Sequence, residues 1–433
     1  MSKIHETLQK YILADGLRPV FDVEKSHGSY LFDASSGKEF LDLFSFFATQ
    51  PVAFNHPMLR SGDFTEKIAK HAIHRPSLSD IYTEEYAEFV DTFVRHTNSN
   101  EHFSHYFFIE GGTLGVENAL KVAMDWKTRK NLSRGIEGKG NQIIHFRNAF
   151  HGRSGYTLSM TNTFDPRKYQ YFARHPWPRI EEPALSFPCD DKVIRSVEEK
   201  EHKALEQIKK SLQDHQDDIA ALIIEPIQGE GGDQHFRNEF FLQLRQLADQ
   251  HEFLLIFDEV QTGIGLTGKM WCFEHFDIKP DLIAYGKKVQ VAGCAASTRV
   301  DEVPDNVFHT SSRINSTWGG NLVDMIRCQR YLEIIEKEKL IENAATMGNY
   351  FVEQLQQWAK EKNQIHNVRG RGLMIAFDFE TSEKRNIAMK TLWDKGIIIL
   401  ACGPKSLRIR PHLDLSKQDI DHAMNIISDH VKG

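Results

Sequence analysis

Apolar positions along the chain follow two rhythms. Short, nearly continuous apolar runs occupy 105–109, 142–146, 219–224, 253–257 and 282–285, and most of them stop abruptly at a polar or glycine pair. The first ends at Gly111-Gly112, the third at Glu225-Pro226, the fourth at Asp258-Glu259 and the last at Gly286-Lys287. Between the runs, apolar residues recur at helical spacing, as with Val116, Leu120, Ala123 and Met124 in 114–130, and again in 239–250. Buried strands alternating with helices predict an α/β fold with a mostly parallel central sheet covered on both faces. The polar residues then sit just past the carboxyl ends of the strands, where open α/β sheets bind ligands.

The later part of the chain reads differently. The spacing predicts a long helix over 322–337, a second to about 362, and short strands at 373–379 and 397–400. Boundaries near 75 and 326 follow: a large domain over 76–326, and a smaller α+β domain built from both chain ends, 1–75 and 327–433. The charge-rich stretch 198–218 is expected to be a solvated surface helix without function.

Composition narrows the class without changing this picture. At 433 residues the chain exceeds what one small core organises, and 40% hydrophobic with 26% charged residues is ordinary for a globular protein. A net charge of −7 gives no electrostatic reason to expect nucleic acid or an anionic membrane as partner. Five scattered cysteines without a C-x-x-C pair read as reduced thiols rather than a disulfide framework or zinc site, and no metal is expected. No stretch reaches the roughly 18 apolar residues of a membrane span, and the first residues lack the apolar core of a secretion signal. The expected setting is cytoplasmic.

The strand ends carry the candidate chemistry. Gly111-Gly112-Thr113 opens a helix after a strand, so free N–H groups and a hydroxyl meet there; this is either a phosphate site or simply an N-cap. Asp258 is either the cap of the next turn or a carboxylate able to keep a pyridine nitrogen protonated. A lysine after an apolar strand, as at Gly286-Lys287-Lys288, either points to solvent or, desolvated beside a cofactor, forms an imine. Phe150-His151-Gly152-Arg153 places on one loop a ring able to stack on a cofactor and a guanidinium shaped to grip a carboxylate.

In this order and spacing the chain resembles the class III (omega) aminotransferases, which are fold-type I pyridoxal-phosphate enzymes. The resemblance runs from His27-Gly28-Ser29-Tyr30-Leu31 and Phe54-Asn55-His56-Pro57 to Arg408-Ile409-Arg410-Pro411. Its most diagnostic segments are Ile224 through Gly231 (IEPIQGEG), Phe257 through Gly263 (FDEVQTG) and Gly286-Lys287. Segments 148–157, 268–290 and 315–321 are most similar to members acting on the terminal amine of L-lysine.

The resemblance implies pyridoxal 5'-phosphate bound as a Schiff base on Lys287. On an extended backbone, Lys288 faces the other way. It implies Asp258 as partner of the pyridinium nitrogen, Gln261 near the phenolic oxygen, Phe150 stacked on the ring and Val260 on its opposite face. Gly112 and Thr113 form the phosphate cup. Thr317 is a phosphate contact delivered from a neighbouring subunit, so a homodimer with shared sites is implied. Glu225 supports the cofactor region, and Asn315 is a supporting or substrate-side group. Arg153 is implied to bind the distal carboxylate of each substrate, and Arg408 the α-carboxylate of 2-oxoglutarate. Arg410, two residues on, is the alternative to Arg408 if the motif is set aside. Glu230 matches a switch glutamate that covers Arg408 while lysine is bound. His412 stands where the motif commonly has a second proline. The implied reaction moves the ε-amino group of L-lysine to 2-oxoglutarate, giving 2-aminoadipate 6-semialdehyde and L-glutamate by ping-pong turnover. Ornithine or another ω-amino acid is the alternative donor.

Overall fold

The computed structural model describes residues 3–431; residues 1–2 and 432–433, the outermost ends of the expected smaller domain, lie outside the described residues. Four of the apolar runs become the middle of a seven-stranded sheet, and the first forms one of its edges. Its order is Phe103–Ile109, Ala292–Ser297, Leu282–Tyr285, Leu254–Asp258, Ile219–Ile224, Gln142–Phe146 and Arg179–Ile180. Successive pairs from Leu282–Tyr285 to Arg179–Ile180 are parallel. All six residues of Ile219–Ile224 are buried, as a strand covered on both faces requires.

The exception to parallel pairing is Ala292–Ser297, antiparallel to both its neighbours. The hydrophobic pattern does not predict this strand, because AGCAAS carries no large apolar or β-branched residue. Small residues are required there. The helix Gly112–Leu132 crosses so close that a Cβ on Gly115 would come within 2.7 Å of the Gly293 carbonyl oxygen. On its sheet side this helix buries Val116, Ala119, Leu120, Ala123 and Trp126.

The two chain ends meet in a three-stranded sheet of Tyr30–Asp33, Lys38–Asp42 and Ile397–Ile398. A separate four-stranded antiparallel sheet runs His366–Arg371, Met374–Asp378, Ser406–Ile409, Leu400–Cys402. The single strand expected at 397–400 is therefore two. Ile397–Ile398 pairs with Lys38–Asp42, and after Ile399 the chain joins the other sheet. The stretch expected to be only a solvated helix is Asp191–Asp214, and it is amphipathic. Val197, Ala204, Ile208 and Leu212 are buried along one side, and Glu201 is buried with them against Arg237 at 2.7 Å.

One segment departs from ordinary backbone geometry. Ser45, Phe46, Phe47 and Ala48 have φ of 40°, 52°, 60° and 64°, a left-handed turn made without glycine. Each such residue costs roughly 1–2 kcal/mol, so the turn persists only where its surroundings hold it. Asp42 Oδ1 accepts from the N–H groups of Phe44 and Ser45 at 2.9 and 2.8 Å, and the Ser45 hydroxyl donates to the Arg410 carbonyl at 2.7 Å.

Candidate active site

The carboxyl ends of the parallel strands open onto a pocket lined by Gly112, Thr113, Phe150, His151, Gly152, Glu225, Glu230, Asp258, Val260, Gln261 and Lys287. Each element contributes the last residue of a strand, the residues just beyond it or the start of the following helix. Gly112 and Thr113 open the helix Gly112–Leu132, where unpaired N–H groups and the helix dipole favour an anion. Gly152 adopts φ 135°, and a Cβ there would stand 2.5 Å from both the Thr113 and Thr157 hydroxyls. No side chain at 152 would leave the Thr113 hydroxyl free.

Lys287 sits in a short 3-10 turn, Lys287–Val289, with its own φ at 52°. The extended backbone assumed for Lys287 and Lys288 is therefore absent, and the turn separates the two side chains instead. Lys287 lines the pocket and its Nζ donates to the Phe47 carbonyl, on the left-handed turn, at 3.2 Å. Lys288 is buried away from the pocket lining, and its Nζ has no hydrogen-bond partner among the described residues. Burial lowers the Lys287 amine to about 8, with Arg408 and Arg410 adding to the shift.

Beneath the pocket three ionisable groups meet. His151 Nδ1 lies 2.7 Å from Asp258 Oδ2, with the imidazole fully buried. Glu225 accepts from the backbone N–H of Phe150 at 2.9 Å and of Gly229 at 3.1 Å. Burial raises Glu225 to about 7; neighbouring His151 opposes this and Asp258 reinforces it. The role of His151 was not assigned from sequence. Its place between the expected stacking aromatic and Gly152, on a loop after a strand, was the available signal.

At the other end, Arg408 donates to Glu230 Oε2 at 2.9 Å. Arg408 is buried and its Nε has no hydrogen-bond partner among the described residues. Arg410 is fully engaged: it pairs with Asp233 and donates to the Ile409 carbonyl at 2.8 Å and to Gln261 Oε1 at 3.1 Å. Of the two arginines, Arg408 has donors to spare. Sequence reading missed Lys168, whose Nζ donates to Glu230 Oε1 at 2.6 Å. Although burial opposes ionisation of Glu230, Arg408 and Lys168 outweigh it and hold the carboxyl below its usual range.

Of the expected site residues, Arg408 reaches this pocket only through Glu230, and three more are not brought into it within one chain. Arg153 is exposed, its guanidinium 6.0 Å from the centre of the Phe150 ring. Asn315 and Thr317 are also exposed. Their loop is strapped to residues 77–79: the Ser77 hydroxyl donates to the Thr317 carbonyl, and the Leu78 N–H donates to the Trp318 carbonyl at 3.1 Å.

Comparison with known proteins agrees with the geometry. The model of the family "Aminotransferase class-III" matches residues 12–431. An L-lysine-epsilon aminotransferase of Mycobacterium bovis is 46% identical over 98% of this chain and 94% of its own length. The one from Streptomyces clavuligerus is 41% identical over 99% of this chain and 94% of its own. A solved lysine aminotransferase from M. tuberculosis superposes with a TM-score of 0.95 at 45% identity, covering 98% of this chain and 97% of that one. With a family match across almost the whole length and a pocket of this composition, the chain belongs to the class III aminotransferases.

Proposed function

We propose that this enzyme transfers the ε-amino group of L-lysine to 2-oxoglutarate, using pyridoxal 5'-phosphate bound through Lys287. The observation that carries the reading is the Glu230–Arg408 pair beside the pocket that holds Lys287. The reacting end of lysine brings no carboxylate, so a buried arginine reserved for one must be neutralised from within the protein. An α-amino donor brings a carboxylate to its reacting end and makes no such demand. The similarity to L-lysine-epsilon aminotransferases supports lysine as the donor.

The residues fit the cofactor. The Gly112–Thr113 helix start, kept open by Gly152, would hold the phosphate, and Asp258 the ring nitrogen. Phe150 and Val260 would flank the ring, with Gln261 near its phenolic oxygen. When bound, pyridoxal phosphate supplies the electron sink that makes a proton on the amine-bearing carbon acidic. Lys287, an amine lowered to about 8, takes and returns that proton. His151 holds Asp258 in position, and Glu225 ties the Phe150 loop to the strand beneath it. Arg153 takes the distal carboxylate of either substrate, and Asn315 is a supporting or substrate-side group.

Thr317 is outside its own chain's pocket, so its phosphate contact requires a second copy, and we read the enzyme as a homodimer with shared sites. We also read the fold as a large domain, 76–326, joined to a smaller one from 1–75 and 327–433. Among the described residues no helix is long and apolar enough to cross a membrane. The five cysteines are unpaired, in keeping with a cytoplasmic setting. The direct test follows the visible absorbance of the cofactor-loaded enzyme mixed separately with L-lysine, L-ornithine, 4-aminobutyrate and L-alanine. Lysine is expected to convert it fastest. Faster conversion by ornithine or 4-aminobutyrate would replace lysine as donor. The difference of one methylene from ornithine is worth only about 1–3 kcal/mol.

A further inference from the structure

Glu230 is held by two cations, with one oxygen on each. Oε2 accepts from Arg408 at 2.9 Å and Oε1 from Lys168 at 2.6 Å. The cations come from unrelated elements. Arg408 lies on the strand Ser406–Ile409, and Lys168 ends the 3-10 turn Pro166–Lys168 on the loop beyond the pocket. That turn is fixed rather than trailing. Asp165 caps it by accepting from the Arg167 N–H at 3.2 Å, and the Tyr169 hydroxyl donates to the Thr163 carbonyl at 3.1 Å. Lys168 Nζ also lies 5.6 Å from the centre of the Phe150 ring. Its side chain is only 13% exposed, against 27% for Glu230.

In the proposed reaction the Glu230–Arg408 pair opens once per turnover, when Arg408 takes the α-carboxylate of 2-oxoglutarate. A part-buried carboxylate leaving its sole partner would be stranded, at a large desolvation cost. A carboxylate bonded through its other oxygen to Lys168 can rotate away from Arg408 and remain paired throughout. We propose that Lys168 is a positioning residue that holds Glu230 in its opened state, and so sets affinity for 2-oxoglutarate and glutamate without touching either. This rests on the proposed switch role of Glu230. It does not depend on which ω-amine is the donor, because glutamate alone tests the dicarboxylate half of the cycle.

The experiment compares cofactor-loaded wild type, Lys168→Met, Lys168→Arg, Glu230→Gln and the Lys168→Met/Glu230→Gln double variant. Each is mixed rapidly with L-lysine or with L-glutamate, and the half-reactions are followed separately. Lys168→Met is expected to weaken apparent glutamate binding roughly tenfold while lysine stays within about twofold, as for loss of one charge partner. Lys168→Arg is expected to restore most of the loss. In the Glu230→Gln background, Lys168→Met is expected to change nothing further. Equal losses in both half-reactions would overturn the proposal, as would a Lys168 effect that persists without Glu230, since that would place Lys168 on the substrate itself. Wild type converted by glutamate but not by lysine would sink the lysine reading and leave the Lys168 comparison intact.

Discussion

The floor of the pocket and its rim are both built on carboxylates, yet they are held by different kinds of partner. On the floor, both oxygens of Glu225 accept from backbone N–H groups, those of Phe150 and Gly229. Asp258 is likewise fixed, by the Val260 N–H at 3.1 Å and the buried His151 ring. On the rim, the Glu230 carboxylate accepts from side chains alone, those of Arg408 and Lys168. Backbone donors do not move without deforming the fold, whereas side-chain donors can be exchanged by a rotamer change. On the proposed reading, the floor holds one geometry for chemistry and the rim alternates between two.

The largest test of this contrast is removal of the amine proposed to react, that of Lys287. Lys287→Ala is expected to lower turnover by about 10⁴-fold or more in both half-reactions alike. Mixing it with a Thr317→Ala variant, under conditions that exchange subunits, should return about a quarter of native activity. Half of the dimers would then be hybrids with one intact site of two. No recovery would argue against shared sites.

A rim substitution should instead split the half-reactions. Arg408→Met is expected to weaken the glutamate half-reaction about 100-fold, because a buried charge pair is broken where the substrate carboxylate is proposed to dock. The lysine half-reaction should fall far less. Equal losses would mean that Arg408 supports the fold rather than the substrate.

The smallest effect concerns stability and again belongs to the floor. Folding raises the Glu225 carboxyl from its ordinary 4.5 to about 7, so the folded chain binds this proton more tightly than the unfolded one. Its stabilising contribution is complete below about pH 4.5 and is lost as pH rises through about 7, up to roughly 3 kcal/mol in all. Glu225→Gln has one acceptor for two N–H groups and should be less stable at low pH. Its stability, from urea unfolding of the cofactor-free protein, should nevertheless fall less steeply between pH 4.5 and 7. An unchanged slope would remove Glu225 as its source.

Much of the central sheet was legible because its strands are apolar runs that end on a polar residue, and the pattern marks both the strand and the place where its chemistry begins. Asp258 and Lys287, both of which line the pocket, were singled out as candidates in this way. The strand Ala292–Ser297 was not, since it is composed of small residues for a packing reason that exists only once Gly112–Leu132 lies across it. The break between Ile397–Ile398 and Leu400–Cys402 was also hidden, because one apolar run serves two sheets. Lys168 was illegible for a different reason. It lies on a polar loop far from Glu230 in sequence, and nothing local distinguishes it from the solvated Arg167 beside it. The left-handed turn Ser45–Ala48 escaped as well, since SFFA contains none of the residues that ordinarily announce positive φ.

The joining of the two chain ends bears on how the enzyme comes into being at the ribosome. The strand Lys38–Asp42 is made long before its partner Ile397–Ile398. The turn that presents the Phe47 carbonyl to Lys287 is fastened to the carbonyl of Arg410, later still. A nascent chain long enough to display Lys287 therefore lacks both this fastening and Arg408. On the role proposed for Arg408, competence to bind a dicarboxylate arrives only once that residue has been made, so a chain that stops short of it is expected to lack transaminase activity.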